Sequence, residues 1–271
     1  MSADSKAQLL TQIDDFRSEA DALYATLTTL KDEDWDSSTT FKAWTIRDVM
    51  LHLHFGDRLG LLTLTDTQAY DQLRAEAEAS TLSRREFTAA HFGDLNGAGL
   101  AARWRDGYNV LCDSFVDADP DTRLRWAGPG MKPRMFVTAR QMETWAHGFE
   151  IYDYLGVDRA HSDRVRNIAT MGVRTYGWTF ANRKADMPGP APYVHLTAPS
   201  GAIWEWNEPQ EDNQVVGPAV DFCQVVTQVR NIADVDLQVI GGPATDWMRI
   251  AQCFAGPPED PPAPGTRAQR G

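Results

Sequence analysis

The stretch QMETWAHGFEIYDYLG, residues 141–156, sets acids and an imidazole among bulky apolar side chains. Glu143 and His147 are four residues apart, so on a helix they share one face a single turn from each other and could hold one cation between them. An earlier segment, IRDVMLHLHFGDRL, offers His52. Zinc and similar divalent ions take imidazole nitrogen and carboxylate oxygen, and a catalytic site keeps three protein ligands and one open position. Two histidines and one glutamate meet that requirement. Two bland readings compete: the Glu143–His147 pair as surface decoration, and His52 as a hydrogen-bonded core histidine. Met142, Trp145, Ala146, Phe149 and Ile151 weigh against the first, because they make the helix apolar round much of its circumference. A carboxylate buried there requires a partner, and a metal would be one. His54 faces away from His52 and reads as structural.

Such a site needs long helices to position it, and the sequence supplies four. Leu9, Ile13, Phe16, Ala20, Leu23, Leu27 and Leu30 recur in alternating steps of four and three, the stripe of a helix packed on other helices. Thr45 with Asp48 is a capping-box variant that opens the helix carrying His52. LNGAGLAARWRDGYNVLCDSFVDA predicts a third long helix, stopped by Asp119-Pro120, and the fourth runs from about Phe136 to Leu155 after the turn-rich loop RWAGPGMKP. TDTQAYDQLRAEAEAST adds a peripheral helix. Four long amphipathic helices with short links read as a bundle.

The pattern changes after Gly156. SDRVRNIATMGVRTYGWTFANR is helical with Ser162 as its N-cap, and PYVHLTAPSGAIWEW reads as two strands turning at Pro199-Ser200-Gly201. A strand at QVVG, a helix in AVDFCQVVTQV, a strand at DLQVIGG and a helix in ATDWMRIAQCF complete a small α+β unit. Trp204 and Trp206 share one strand face and are expected to pack a core. The expected domains are a metal-binding bundle over 1–160, an α+β domain over 161–256, and a disordered tail over 257–271, whose GPPEDPPAPG composition buries little apolar area.

Composition narrows the partners. The 271 residues carry a formal net charge of −12, which opposes phosphate backbones and anionic lipid surfaces, so small molecules are expected rather than nucleic acid or membrane. No signal-peptide pattern opens the chain and no run of eighteen apolar residues follows, so a cytoplasmic location is expected. Cys112, Cys223 and Cys253 are widely spaced without a CxxC pair and read as reduced, buried thiols. A phosphate-cradling glycine loop and a Gly-x-Ser-x-Gly elbow are both missing, which sets nucleotide chemistry and serine hydrolysis aside.

FKAWTIRDVMLHL and ARQMETWAHGFEIYDYLG resemble the two metal-binding helices of the mycothiol-dependent maleylpyruvate isomerase family, within the wider DinB-like four-helix bundles. HLTAPSGAIWEW, VVGPAVDFCQVVTQVRN and ATDWMRIAQCFAGPP resemble the sterol-carrier-like second domain that follows the bundle in an actinobacterial subfamily. The resemblance spans roughly residues 5–256 and implies an α+β chain with a DinB-like four-helix bundle ahead of a small sterol-carrier-like domain. Carried over residue by residue, it implies His52, Glu143 and His147 as ligands of a zinc or other divalent ion. Related thiol-transferase bundles use three histidines, so Glu143 places the chain nearer the isomerase branch. Glu150 stands where the family has Asp, either orienting His147 or holding a polar contact of its own. Arg230 is a candidate grip for an anionic group of substrate or thiol, with a surface role as its alternative.

The function implied is activation of a low-molecular-weight thiol, mycothiol as cosubstrate, for addition to an electrophilic small molecule, giving isomerisation or S-transfer. One alternative keeps the metal without the thiol, as a hydrolase, lyase or cyclase of specialised metabolism. Another is a non-enzymatic carrier of a small apolar ligand with a structural metal.

Overall fold

The computed structural model describes residues 3–126 and 130–267. The chain forms two compact units, Met1–Tyr154 and Leu155–Gly271. Their division falls a few residues ahead of the expected one at 160, because Gly156, at φ 65°, ends the last long helix in the left-handed conformation that glycine adopts freely.

The first unit is helical: α1 (Ala3–Leu27), α2 (Ile46–Thr65), α3 (Thr67–Ala79), α4 (Arg84–Phe92), α5 (Gly97–Val116) and α6 (Pro133–Leu155). The α1 stripe is buried from Leu9 through Leu27, and α5 answers it with Leu100, Trp104, Tyr108, Leu111 and Phe115, all inaccessible to solvent. Each such side chain contributes roughly 1.5–3 kcal/mol by leaving water. The α6 register is set by Phe136, stacked on Phe115 at 5.6 Å between ring centroids, and by Gln141, which accepts from the Gln12 amide at 2.7 Å. Thr45 caps α2 as the sequence predicts: its hydroxyl accepts from the Asp48 N–H at 3.1 Å while the Asp48 carboxylate accepts from the Thr45 N–H at 2.9 Å.

Two details depart from expectation. Helix α6 starts at Pro133 rather than near Phe136, since proline suits a first helical position. Helix α4, capped by Ser83 and Glu86, has no counterpart in the sequence reading; its apolar content is little more than Phe87 and Phe92, which pack on Phe55, Leu59, Tyr70 and Leu73. Residues 127–129 of the loop RWAGPGMKP lie outside the described residues, and beside them Leu124 pairs antiparallel with Met131.

The second unit holds α7 (Arg166–Arg174), α8 (Tyr176–Asn182), β1 (Tyr193–Thr197), β2 (Ile203–Trp206), β3 (Gln214–Pro218), α9 (Ala219–Val226), β4 (Gln238–Ile240) and α10 (Gly242–Ile250). Its sheet order is β2-β1-β3-β4, with β1 parallel to β3 and the other pairs antiparallel. Val194, Leu196, Val215, Phe222 and Trp247 form its core. Trp204 is buried beneath the Arg166 guanidinium, and Trp206 meets it edge-on at 6.4 Å. Ser162 precedes a 3-10 turn rather than capping an α-helix, and its hydroxyl accepts from Arg164.

The stretch 257–267, expected to be disordered, is instead held on this unit. Glu259 N–H donates to Gln252 Oε1 at 2.9 Å, Asn231 Nδ2 to the Pro262 carbonyl at 2.8 Å, and buried Arg267 to the Gln228 carbonyl at 2.8 Å. Hydrogen bonds to backbone carbonyls, which composition does not register, do what apolar burial could not. Among the described residues no helix is long and apolar enough to cross a membrane.

Candidate metal centre

Helices α2 and α6 bring His52, Glu143 and His147 together. His52 Nε2 lies 3.2 Å from Glu143 Oε2 and His147 Nε2 lies 3.6 Å from the same oxygen. One nitrogen or oxygen from each residue falls within 4.8 Å of the other two, the only such group of three or more among the described residues. The side chains remain 23%, 23% and 14% exposed, so the donors face an accessible space rather than a closed core. Burial raises the Glu143 pKa, but the hydrogen bond from His52 and the fields of His52, His147 and Arg140 outweigh it and hold the carboxyl down to about 2. Two imidazole nitrogens and an ionised carboxylate oxygen are a donor set that fits zinc.

Beneath the donors lies a buried ion pair. Arg140, one turn before Glu143, donates from Nε to Asp57 Oδ1 at 2.8 Å and from Nη2 to the Leu53 carbonyl at 3.2 Å, and Trp104 Nε1 donates to Asp57 Oδ2 at 2.9 Å. Burial pushes the Asp57 carboxyl up, against the pull of Arg140 and Trp104. Gly56 makes room, since a Cβ there would sit 2.6 Å from the Arg140 guanidinium. The sequence reading missed this pair. Its only sequence signal was an arginine one turn from Glu143 on a helix too apolar to expose it.

Beside the donors the chain between the 3-10 turn Asp32–Asp36 and α2 folds into a tight turn, with Thr39 N–H donating to the Trp44 carbonyl at 2.7 Å and Trp44 N–H to the Phe41 carbonyl at 2.8 Å. Its two central residues, Lys42 and Ala43, have φ of 49° and 55°, which costs a non-glycine residue about 1–2 kcal/mol each. The turn presents Phe41 and Trp44 to the histidines. Trp44 lies parallel to His147, 3° between planes and 6.1 Å between centroids, and meets His52 edge-on at 5.5 Å. Phe41 meets His147 edge-on at 5.1 Å.

The donor group itself consists of His52, Glu143 and His147. Glu150 is buried one turn beyond His147 and outside the donor group. Arg230 belongs to the second unit, where it is buried and donates to the Val229 carbonyl at 3.1 Å, so its alternative as a surface residue is set aside. His54 is buried on another face of α2 against Phe92, at 4.6 Å, as expected of a structural histidine. The three cysteines are buried. A cleft of about 490 Å³ at α3, lined by Asp71, Arg74, Glu78, Arg123, Arg125 and Trp126, contains none of the donors; Arg125 pairs with Asp71 and Arg74 with Glu78, while Arg123 donates to the Gly130 carbonyl.

Residues 16–152 match the family model described as the mycothiol maleylpyruvate isomerase N-terminal domain. An uncharacterized protein of Mycobacterium tuberculosis, recorded from two strains, is 36% identical over 244 residues, covering 90% of this chain and 95% of its own. The crystal structure of the mycothiol-dependent maleylpyruvate isomerase is similar with a TM-score of 0.52 at 13% identity, over 80% of this chain and 88% of that one. A histidine-to-alanine mutant of that enzyme gives 0.51 at 14% identity over the same shares. At such identities the likeness concerns the fold.

Proposed function

The chain belongs to the mycothiol maleylpyruvate isomerase N-terminal domain family, and on that premise we propose a divalent-metal enzyme of the isomerase and S-transferase type. It activates a low-molecular-weight thiol, mycothiol or a close analogue, for addition to an electrophilic small molecule. The observation that carries the reading is the convergence of His52, Glu143 and His147 from two helices onto one accessible point. We read the four long helices of the first unit as a DinB-like bundle and Leu155–Gly271 as a sterol-carrier-like domain.

In this reading His52, Glu143 and His147 would hold one ion, zinc by the preference of mixed imidazole-carboxylate sites. When bound, such an ion supplies Lewis-acid chemistry that favours the thiolate over the thiol at neutral pH. The chain's own groups prepare the place. Glu143 stays ionised and offers its charge without first losing a proton, while Phe41 and Trp44 exclude water from one side of the imidazoles. Glu150 is assigned to orienting His147 along α6, and Arg230 to gripping an anionic group of the thiol or substrate. Glu150→Gln should then weaken metal retention, and Arg230→Lys should raise KM with kcat kept; unchanged values would remove these roles.

The central test is elemental analysis of protein purified without chelator. About one divalent ion per chain is expected, lost in His147→Ala while helical circular dichroism persists. No metal and no uptake on titration would end the reading. With cobalt substituted, a thiol that binds directly should produce a saturable sulfur-to-metal charge-transfer band. Turnover without thiol and without that band would favour a hydrolase, lyase or cyclase. Binding of apolar ligands without any turnover would favour a carrier.

A further inference from the structure

We infer that Trp44, held by the turn Thr39–Trp44, is a positioning residue that fixes the orientation of both histidines before an ion arrives. The inference rests on the metal reading above and concerns this chain's own side chains.

Metal-ligating imidazoles need their ring planes set, since a nitrogen lone pair lies in that plane and a rotated ring aims it elsewhere. Here ring packing supplies part of that setting, beside the contact of His52 Nε2 with Glu143 Oε2. Trp44 is within aromatic contact distance of both histidines at once, flat against one and edge-on to the other. The histidines in turn meet each other at 4.7 Å and 67° between planes. Phe41 closes the cluster, 5.1 Å from Trp44 and 5.1 Å from His147. Rotating either imidazole would drive it into one of these rings.

The backbone gives the second, independent observation. Lys42 and Ala43 both adopt the left-handed conformation without being glycine, and such strain persists only where surrounding contacts over-determine it. Those contacts are the two backbone hydrogen bonds that close the turn, the Phe41 N–H donated to Thr39 Oγ1 at 3.2 Å, and the bridge between Ser38 and Thr45 that ties the turn to the α2 cap. The same cap residue therefore starts the helix bearing His52 and anchors the ring that aligns it.

Trp44 and Phe41 are each partly exposed rather than core residues, so their replacement should leave the fold intact. The experiment compares zinc affinity, by competition with a chromophoric chelator, in the full-length protein and in Trp44→Phe, Trp44→Leu and Phe41→Leu. Leucine keeps apolar bulk but has no ring face. Affinity should fall about 10- to 100-fold in Trp44→Leu, the range found when groups that orient metal ligands are removed, and return to within a few-fold in Trp44→Phe. The cobalt protein should show altered d–d bands in Trp44→Leu with an unchanged thermal midpoint of the metal-free chain. Equal affinity in the leucine and phenylalanine variants would reduce Trp44 to filler and overturn the inference alone. A fall in affinity matched by a fall in the metal-free midpoint would also overturn it, as a structural effect; Phe41→Leu, which leaves Trp44 in place, should lower affinity less than Trp44→Leu. Wild-type protein that binds no zinc would overturn this inference and the metal reading together.

Discussion

At the scale of single residues, two groups on α2 differ in legibility for a physical reason. His52 could be offered as a candidate from the sequence because an imidazole suits the i,i+4 Glu143–His147 pair and the family resemblance singles it out, while spacing alone left it open as a core histidine. Asp57 could not, since its role depends on Arg140 reaching it at 2.8 Å from another helix. Removing one partner leaves a buried charge unpaired, so Asp57→Asn should destabilise the protein by about 3–5 kcal/mol in urea unfolding. His54 gives a pH signature. Burial first, then the nearby Arg103 and Arg58, depress its pKa from the usual 6.5 to about 4. The unfolded chain therefore takes up a proton near 6.5 that the folded chain refuses until about 4, and stability falls as pH drops through that window. The loss should reach roughly 3 kcal/mol. Urea midpoints at pH 7 and pH 4.5 should lie closer together in His54→Leu than in the wild type; equal separations would refute the assignment.

At the scale of elements, the long helices were legible because their stripes repeat over several turns and Thr45 announces α2. Helix α4 was not, having too few apolar residues to show a period. The strands followed from alternation and turn residues, but the parallel pairing of β1 with β3 was a tertiary choice that neither strand encodes. Arg140 of α6 packs over Gly56 of α2, where a Cβ would meet the guanidinium at 2.6 Å. Gly56→Ala should thus cost about 1–3 kcal/mol by forcing the buried arginine aside, although alanine favours an exposed helix. A stabilised Gly56→Ala protein would contradict that packing. Thr45→Ala removes the side-chain acceptor at the α2 start and should cost about 1 kcal/mol, read from the thermal midpoint.

At the scale of the whole molecule, composition misjudged the order of the final described stretch. Proline and charge in 257–267 pointed to disorder, yet the segment ends with buried Arg267 bonded to the Gln228 carbonyl, while Gln228 Nε2 donates to the Glu259 carbonyl at 2.8 Å. Burial draws the Arg267 pKa down to about 10, so the guanidinium remains charged at neutral pH. Deleting residues 257–271 should strip these partners from Gln228, Asn231 and Gln252 and lower the thermal midpoint of the second unit by several degrees. A truncated chain that melts with the full-length protein would return this segment to the status of a tail.

Glu143 meets His52 across 91 residues of chain. At synthesis rates of 5–20 residues per second, roughly 5 to 20 s separate the emergence of the two side chains from the ribosome. Throughout that interval only His52 of the three proposed donors has emerged, beside His54 and His91. On the metal reading proposed above, capture by all three donors waits until α2 and α6 have docked, which makes loading follow the folding of the first unit and depend on whichever ion is most available then.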